Sequence, residues 1–305
     1  MQAEAKSLYV QGNVFAFLGM IIWAMTYPLT DVLLGTWHPL TLAATRIFGA
    51  GLVLFLISVL VQSNFVGWKN WPLKRACVTA VVGLGLSTIS MNFAFQYSNP
   101  VNIAVIATTG PLVSAVMGMI RGEEKITPRL SFAIIMAIVG GVLVSVSNLE
   151  TELGFQGGEI LMIIAVILWV WFSRVSVTKL RVIPAFPRMA FMSVIAGIAI
   201  FPFLALIEFT GLTSIMPTWS DMERWLSVVL IFGVAFSMVF WMMSADRIGV
   251  TIAGMHGNAV PFYVVLIMIF FGGSVNGWQI TGAILVATGA TLAQLDIVKL
   301  KDAIA

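Results

Sequence analysis

Ten stretches of roughly twenty mostly apolar residues follow one another along this chain, and that leaves little choice of fold. Read as helices, they cover about 13–34, 40–62, 74–96, 100–120, 129–147, 157–178, 188–208, 224–245, 250–271 and 277–296. Each is long enough to cross the hydrocarbon of a bilayer, where a helix satisfies all its own backbone groups. With 60% hydrophobic and only 10% charged residues, the chain has too little polar surface to cover a globule in water. Pro39, Pro100, Pro128, Pro184, Pro187 and Pro217 stand at or beside the breaks between stretches. The longest connection is about fifteen residues, too short for a soluble domain. The polar lead Met1–Gly12 runs straight into a full-length span, so no cleavable signal is expected. The predicted fold is an all-α integral membrane protein with the lipid bilayer as its surroundings.

The charges fix an orientation, because basic residues stay on the cytoplasmic side. Lys6, Lys69, Lys74, Arg75, Arg121, Lys125 and Arg129 fall at alternate breaks. Arg174, Lys179, Arg181, Arg188, Arg247, Lys299 and Lys301 continue the series, so fourteen of sixteen basic residues share one side. Arg224 lies on the other side and Arg46 inside a span. The opposite connections carry Glu150, Glu152, Glu208, Asp221 and Glu223. Both termini are therefore expected in the cytoplasm.

The chain also reads as one design written twice, over 1–148 and 149–305. Pro111 precedes Gly122 by eleven residues, and Pro261 precedes Gly272 by eleven, with Gly140 and Gly289 following at similar distances. Nearer the front of each half, Gly12 precedes Trp23 by eleven and Gly158 precedes Trp169 by eleven. Five spans per half is an odd number, so the second copy starts on the opposite face and the repeats are inverted. Inverted repeats with a midplane site between them are a recurrent plan for alternating-access carriers.

Candidate functional residues are the polar and aromatic groups at mid-depth. Trp23 and Trp169 occupy the middle of spans one and six, not the interfaces where tryptophan collects. Tyr27 lies one turn beyond Trp23 on the same face. This placement suits a binding pocket and helix packing equally. His256 is the only histidine inside a span; Tyr263, seven residues on, shares its face, whereas Asn258 points away. Asn92, Asn102 and Thr108 are weaker polar candidates in spans three and four. Pro111 and Pro261 withhold an N–H from the carbonyls of Ala107 and Gly257 and are expected to kink spans four and nine beside a cavity. For Arg46 a structural or gating role is favoured over substrate contact, by snorkelling or by pairing with a carbonyl or Asp31. Small residues at Ala133, Ala137, Gly141 and Ser145, and at Ala283, Ala287 and Thr291, offer close-packing faces, inside the bundle or between two copies. Monomer and dimer both remain open.

The absences narrow the function. No acidic residue falls at the centre of a span, which argues for facilitated transport or exchange over ion pumping through a buried carboxylate. His256 is the one group placed to carry a proton. There is no HExxH pattern, no serine–histidine pair with a buried acid and no phosphate-binding glycine loop. Neither an enzyme, a metal site, a cofactor nor a nucleic-acid partner is expected. The single cysteine, Cys77, reads as a small core residue.

These features together resemble the EamA-like branch of the drug/metabolite transporter superfamily. The resemblance rests on the ten-span double repeat, the mid-helix tryptophan near the start of each half, and Pro39 and Arg46 around span two. It rests also on Tyr97-Ser98-Asn99-Pro100, Pro111 and the Gly122-Glu123 ending of span four. The second half departs from the pattern, with Gly272-Gly273 where the family often has Gly-Glu. The resemblance implies export of small organic metabolites through a central cavity lined by spans one, three, four, six, eight and nine. Within it, the substrate is expected to be an amphipathic metabolite such as an amino acid, with an organic cation or drug as the alternative. A non-transporting scaffold or lipid-binding subunit is the alternative of another class. A bacterial inner membrane is the expected location.

Overall fold

Hydropathy dictates the helices, and side chains near their ends dictate how they are tied together. The computed structural model describes residues 2–62, 68–97, 106–123, 127–146, 157–211, 215–217 and 219–260, with 263, 277, 281–282, 284–285 and 288–289 beyond them. Among these residues the main helices are α1 (Gln2–Leu34), α2 (Pro39–Gln62), α3 (Leu73–Tyr97), α4 (Gly110–Ile120) and α5 (Pro128–Val146). They continue as α6 (Gly158–Lys179), α7 (Ala185–Thr210), α8 (Asp221–Ile248) and α9 (Val250–Gly257). Six of them, α1 to α3 and α6 to α8, are long and apolar enough to cross a membrane. Most of the tenth expected span lies outside the described residues. So do the junction expected at 148/149 and the connection carrying Glu150 and Glu152.

Two helices differ from expectation. Helix α1 begins at Gln2 rather than near 13, because the lead is built from Ala, Glu, Lys and Leu, which favour helix without being apolar throughout. Helix α3 contains a π-helical stretch, Thr79–Gly85. There Gly83 lets α6 approach so closely that an added Cβ would lie 2.7 Å from the Cβ of Phe172. At the start of α8 a capping box forms: the Ser220 hydroxyl accepts from the Glu223 backbone N–H, and the Glu223 carboxylate accepts from that of Ser220.

Cross-links at the helix ends set the directions. Asp246 at the end of α8 pairs with Arg188 at the start of α7, and Glu123 just past α4 pairs with Arg174 near the end of α6. Gly12 on α1 packs against Arg247 and Ile248 at the end of α8. At the far end the Thr36 hydroxyl donates to Glu223 at 2.5 Å, and the Thr41 hydroxyl to the carbonyl of Ile215 at 2.6 Å. Helices α1 and α6 thus run in opposite directions.

Between helices in lipid, close packing replaces the hydrophobic effect as the adhesive. Helices α2 and α7 meet at Gly51 and Gly197, where an added Cβ would fall 2.6 Å from the backbone nitrogen of Val194 and 2.5 Å from the Cβ of Phe48. Of the small-residue faces expected on spans five and ten, only Ala133 has a described side chain, and it is buried. The outside of the bundle carries exposed Phe55, Leu60, Ile160, Phe209 and Phe232, a surface suited to acyl chains.

Candidate functional site

The site begins with interruptions in the helices. Before α4, Thr108 and Thr109 form a turn, closed by the Thr109 N–H on the carbonyl of Ile106 at 3.0 Å. Pro111 then sits in the first turn of α4, where its missing N–H leaves no helical bond unmade. This corrects the expectation of a kink inside a continuous span. The second half repeats the device: α9 stops at Gly257, and Asn258 and Ala259 form a turn, with N–H bonds to Met255 at 3.2 Å and to His256 at 3.1 Å. Pro261 follows at the matching spacing but lies outside the described residues. Broken helices of this kind are tolerated at membrane depth where they border a cavity.

A cavity of about 150 Å³ lies at these breaks. Ala107, Gly110 and Pro111 contribute to its wall from the α4 side, and Gly254, Gly257 and Val260 from the α9 side. Helix α3 adds Leu84, at the end of its π-helical stretch, with Ser87 and Thr88 just beyond. The remaining walls are mostly aromatic and thioether groups from α1, α6 and α8, including Trp23, Tyr27, Trp169, Trp241 and Met238.

The equivalent tryptophans of the two halves meet here. Trp23 and Trp169 stack with centroids 6.5 Å apart and planes 19° from parallel. Trp169 also leans on Phe172 at 5.3 Å and on Trp241 at 6.0 Å. The indole N–H of Trp241 donates to the Ser173 hydroxyl at 3.1 Å, so its ring is fixed by α6. Tyr27 meets Trp23 edge-on at 6.3 Å and Phe95 at 5.3 Å. Such paired rings form a rigid apolar wall.

Arg46 enters the same cavity from α2. Its residue is 1% exposed, its guanidinium carbon stands 5.4 Å from the centroid of the Trp23 ring, and its Nη1 donates to the Thr30 hydroxyl at 3.3 Å. The pairing expected with Asp31 is not made. Asp31 is exposed, one residue and thus about 100° around α1 from Thr30.

Not all the sequence candidates come together. Trp23, Tyr27, Trp169, Pro111 and Arg46 line the cavity. Asn92 is fully buried and donates to the carbonyl of Thr88 at 2.8 Å, and Thr108 is buried in the turn; neither is part of the lining. His256 faces α1 instead, its Nε2 3.0 Å from Oδ1 of Asn13, and Tyr263 packs edge-on against Phe17 at 5.8 Å. Asn102 lies outside the described residues. The helices lining the cavity include the six expected, with α2 added through Arg46 and Ile47.

One polar network was missed by the sequence reading. The Nη1 of Arg174 donates to the carbonyl and the hydroxyl of Ser114 at 3.0 and 3.1 Å, and Nη2 to Glu123 at 2.7 Å. The hydroxyls of Ser114 and Thr251 lie 2.9 Å apart, joining α4 to α9. The hydrogen bond from Arg174 holds the Glu123 carboxyl below its ordinary value. The signal was present, since Arg174 stands five residues inside the end of its helix, but it was absorbed into the count of basic end residues.

Membrane-length helices, a lipid-suited exterior and an inner chamber at paired helix breaks define an integral membrane protein built to admit a solute. The chain belongs to the EamA-like transporter family, whose model matches it twice, over residues 10–146 and 156–294. It is similar to the uncharacterized transporter YyaM of Bacillus subtilis (strain 168), 23% identical over 285 residues that cover 90% of each chain. It is similar also to the uncharacterized transporter YetK of the same organism, 20% identical over 225 residues covering 73% of this chain and 68% of that one. A crystal structure shares its fold with a TM-score of 0.74 at 20% identity, covering 94% of this chain and 98% of its own. The protein is a membrane transporter of this family.

Proposed function

We propose that the protein carries small amphipathic organic metabolites, amino acids or related compounds among them, by alternating access between its two halves. Export across a bacterial inner membrane, with both termini in the cytoplasm, is the direction and setting this reading assigns. The stack of Trp23 on Trp169 carries it: equivalent residues of the two repeats share one wall of one cavity, so a solute bound there touches both halves at once. A ligand against such a wall buries its apolar part while a few polar groups orient its other end. The cavity speaks against a solid-cored scaffold. The charge of Arg46 in its lining speaks against an organic cation, although the rings alone would suit one. His256 bonds with Asn13 outside the cavity lining, which favours facilitated transport or exchange over a proton relay through that residue.

The test is solute counterflow in proteoliposomes, after a metabolite-pool screen by thermal shift has named a ligand. Trp169→Ala should weaken ligand binding more than tenfold, since one lost ring contact is worth a few kcal/mol. Trp219→Ala, at an exposed ring against Trp37, should change it less than twofold. Equal effects at equal folded protein would mean that Trp169 packs helices and binds nothing.

A further inference from the structure

Among the described residues the cavity lining carries one formal charge, and that charge is under-used. A guanidinium has five N–H donors set in a flat fork. In Arg46 the one hydrogen bond seen is the long one from Nη1 to Thr30, and Nε has no acceptor among the described residues. No carboxylate among those residues pairs with it. The other two deeply buried arginines also leave Nε unbonded, but each has a counter-ion, Arg188 binding Asp246 and Arg174 binding Glu123. A buried cation without a counter-ion is strongly disfavoured in a membrane interior, and such a residue is a candidate functional group.

The surroundings of Arg46 suit a visiting anion. The guanidinium carbon lies over the Trp23 ring, and a contact with a ring face takes up none of the N–H donors. Carboxylate is the group that meets such a fork with two parallel hydrogen bonds. The rest of the described wall is mostly apolar, with the neutral hydroxyls of Tyr27, Ser87, Thr88 and Ser237 in it and no second charge. A cavity of about 150 Å³ accepts a ring the size of benzene.

We propose that Arg46 binds the carboxylate of the transported solute, a small organic acid whose apolar part packs against the wall that Trp23 and Trp169 form. This inference rests on reading the cavity as the transport site.

The experiment measures affinity of the purified full chain for matched acid, amide and amine probes. These are phenylacetate, phenylacetamide and phenethylamine, with butyrate, butyramide and butylamine as a smaller set. The acid of at least one set should bind at least tenfold more tightly than its amide and amine. Arg46→Gln should bring that acid down to the level of its amide without changing the amide. Arg46→Lys should keep part of the preference, since an ammonium supplies charge without the fork. If Arg46→Gln does not fold, the wild-type ranking and Arg46→Lys decide. An amine or amide binding as well as its acid overturns the inference, as does an Arg46→Gln protein that still prefers the acid. Failure of every acid to bind, in a protein whose counterflow of another solute is lost in Trp169→Ala, overturns the role of Arg46 alone. Counterflow and binding that both ignore Trp169→Ala overturn the cavity reading beneath it.

Discussion

The seam between α2 and α7 offers a quantitative test of how this bundle holds together. At Gly51 an alanine Cβ would stand 2.6 Å from the backbone nitrogen of Val194 and 3.0 Å from the carbonyl carbon of Ser193. At Gly197 it would stand 2.5 Å from the Cβ and 2.8 Å from the Cα of Phe48. Ordinary contact starts near 3.4 Å, so the shortfalls are 3.4 − 2.6 = 0.8 Å and 3.4 − 2.5 = 0.9 Å. Backbone atoms are among those met on each side, so no rotamer change relieves the clash and the helices must part. A gap of 0.5–1 Å forfeits roughly a quarter to a half of each dispersion contact along the seam. Gly51→Ala and Gly197→Ala should each therefore cost about 1–3 kcal/mol, the range for overpacked interiors. Both open the same seam by about the same distance, so the second should cost little once the first is made. The double variant should fall short of the sum by about 1 kcal/mol or more, as expected for coupled sites. Thermal unfolding of the four proteins in one detergent, read by fluorescence-detected size exclusion, measures the cycle. Costs that add to within about 0.5 kcal/mol would show that each clash is relieved locally and that the seam is not rigid.

Two further outcomes follow from the ends of the helices. Asp246→Ala leaves the fully buried guanidinium of Arg188 with the carbonyl of Ser176 as its identified acceptor and should cost about 3 kcal/mol. Arg188→Met combined with Asp246→Leu should recover most of that loss, and a neutral Asp246→Ala in the same thermal assay would contradict the pairing. For topology, with Cys77 replaced, Thr151→Cys should react with an impermeant maleimide added outside intact cells. Lys179→Cys should react only after permeabilisation, and the reverse pattern would invert the proposed orientation.

The six membrane-length helices and their order were legible because hydropathy acts along the chain. Helices α2, α3 and α5 begin within one residue of expectation, since apolar runs and prolines mark them. The π-helical stretch in α3 was not legible: it accompanies the approach of Phe172 to Gly83, a contact between residues nearly ninety positions apart. Pro111 and Pro261 announced special positions, but whether proline kinks a helix or opens one depends on the turn before it. Here Thr108 and Thr109 supply that turn. The matched position of Trp23 and Trp169 followed from the repeat, while their stacking needed two helices that run in opposite directions to bring the rings together.

Direction around a helix is where local reasoning ran out. A histidine a third of the way into span nine was a fair candidate by depth, yet successive residues differ by about 100° in the direction they face. Gly254 and Gly257 line the cavity, and His256, two residues from one and one from the other, is carried round to Asn13 on α1. The same rotation separates Thr30, which meets Arg46, from exposed Asp31, which does not. That single step decides the chemistry of the chamber. Had Asp31 occupied the inward position, Arg46 would be neutralised within the protein and the described lining would carry no net charge. With threonine there, the guanidinium is positioned but not neutralised, and the charge it needs is left for the solute to supply.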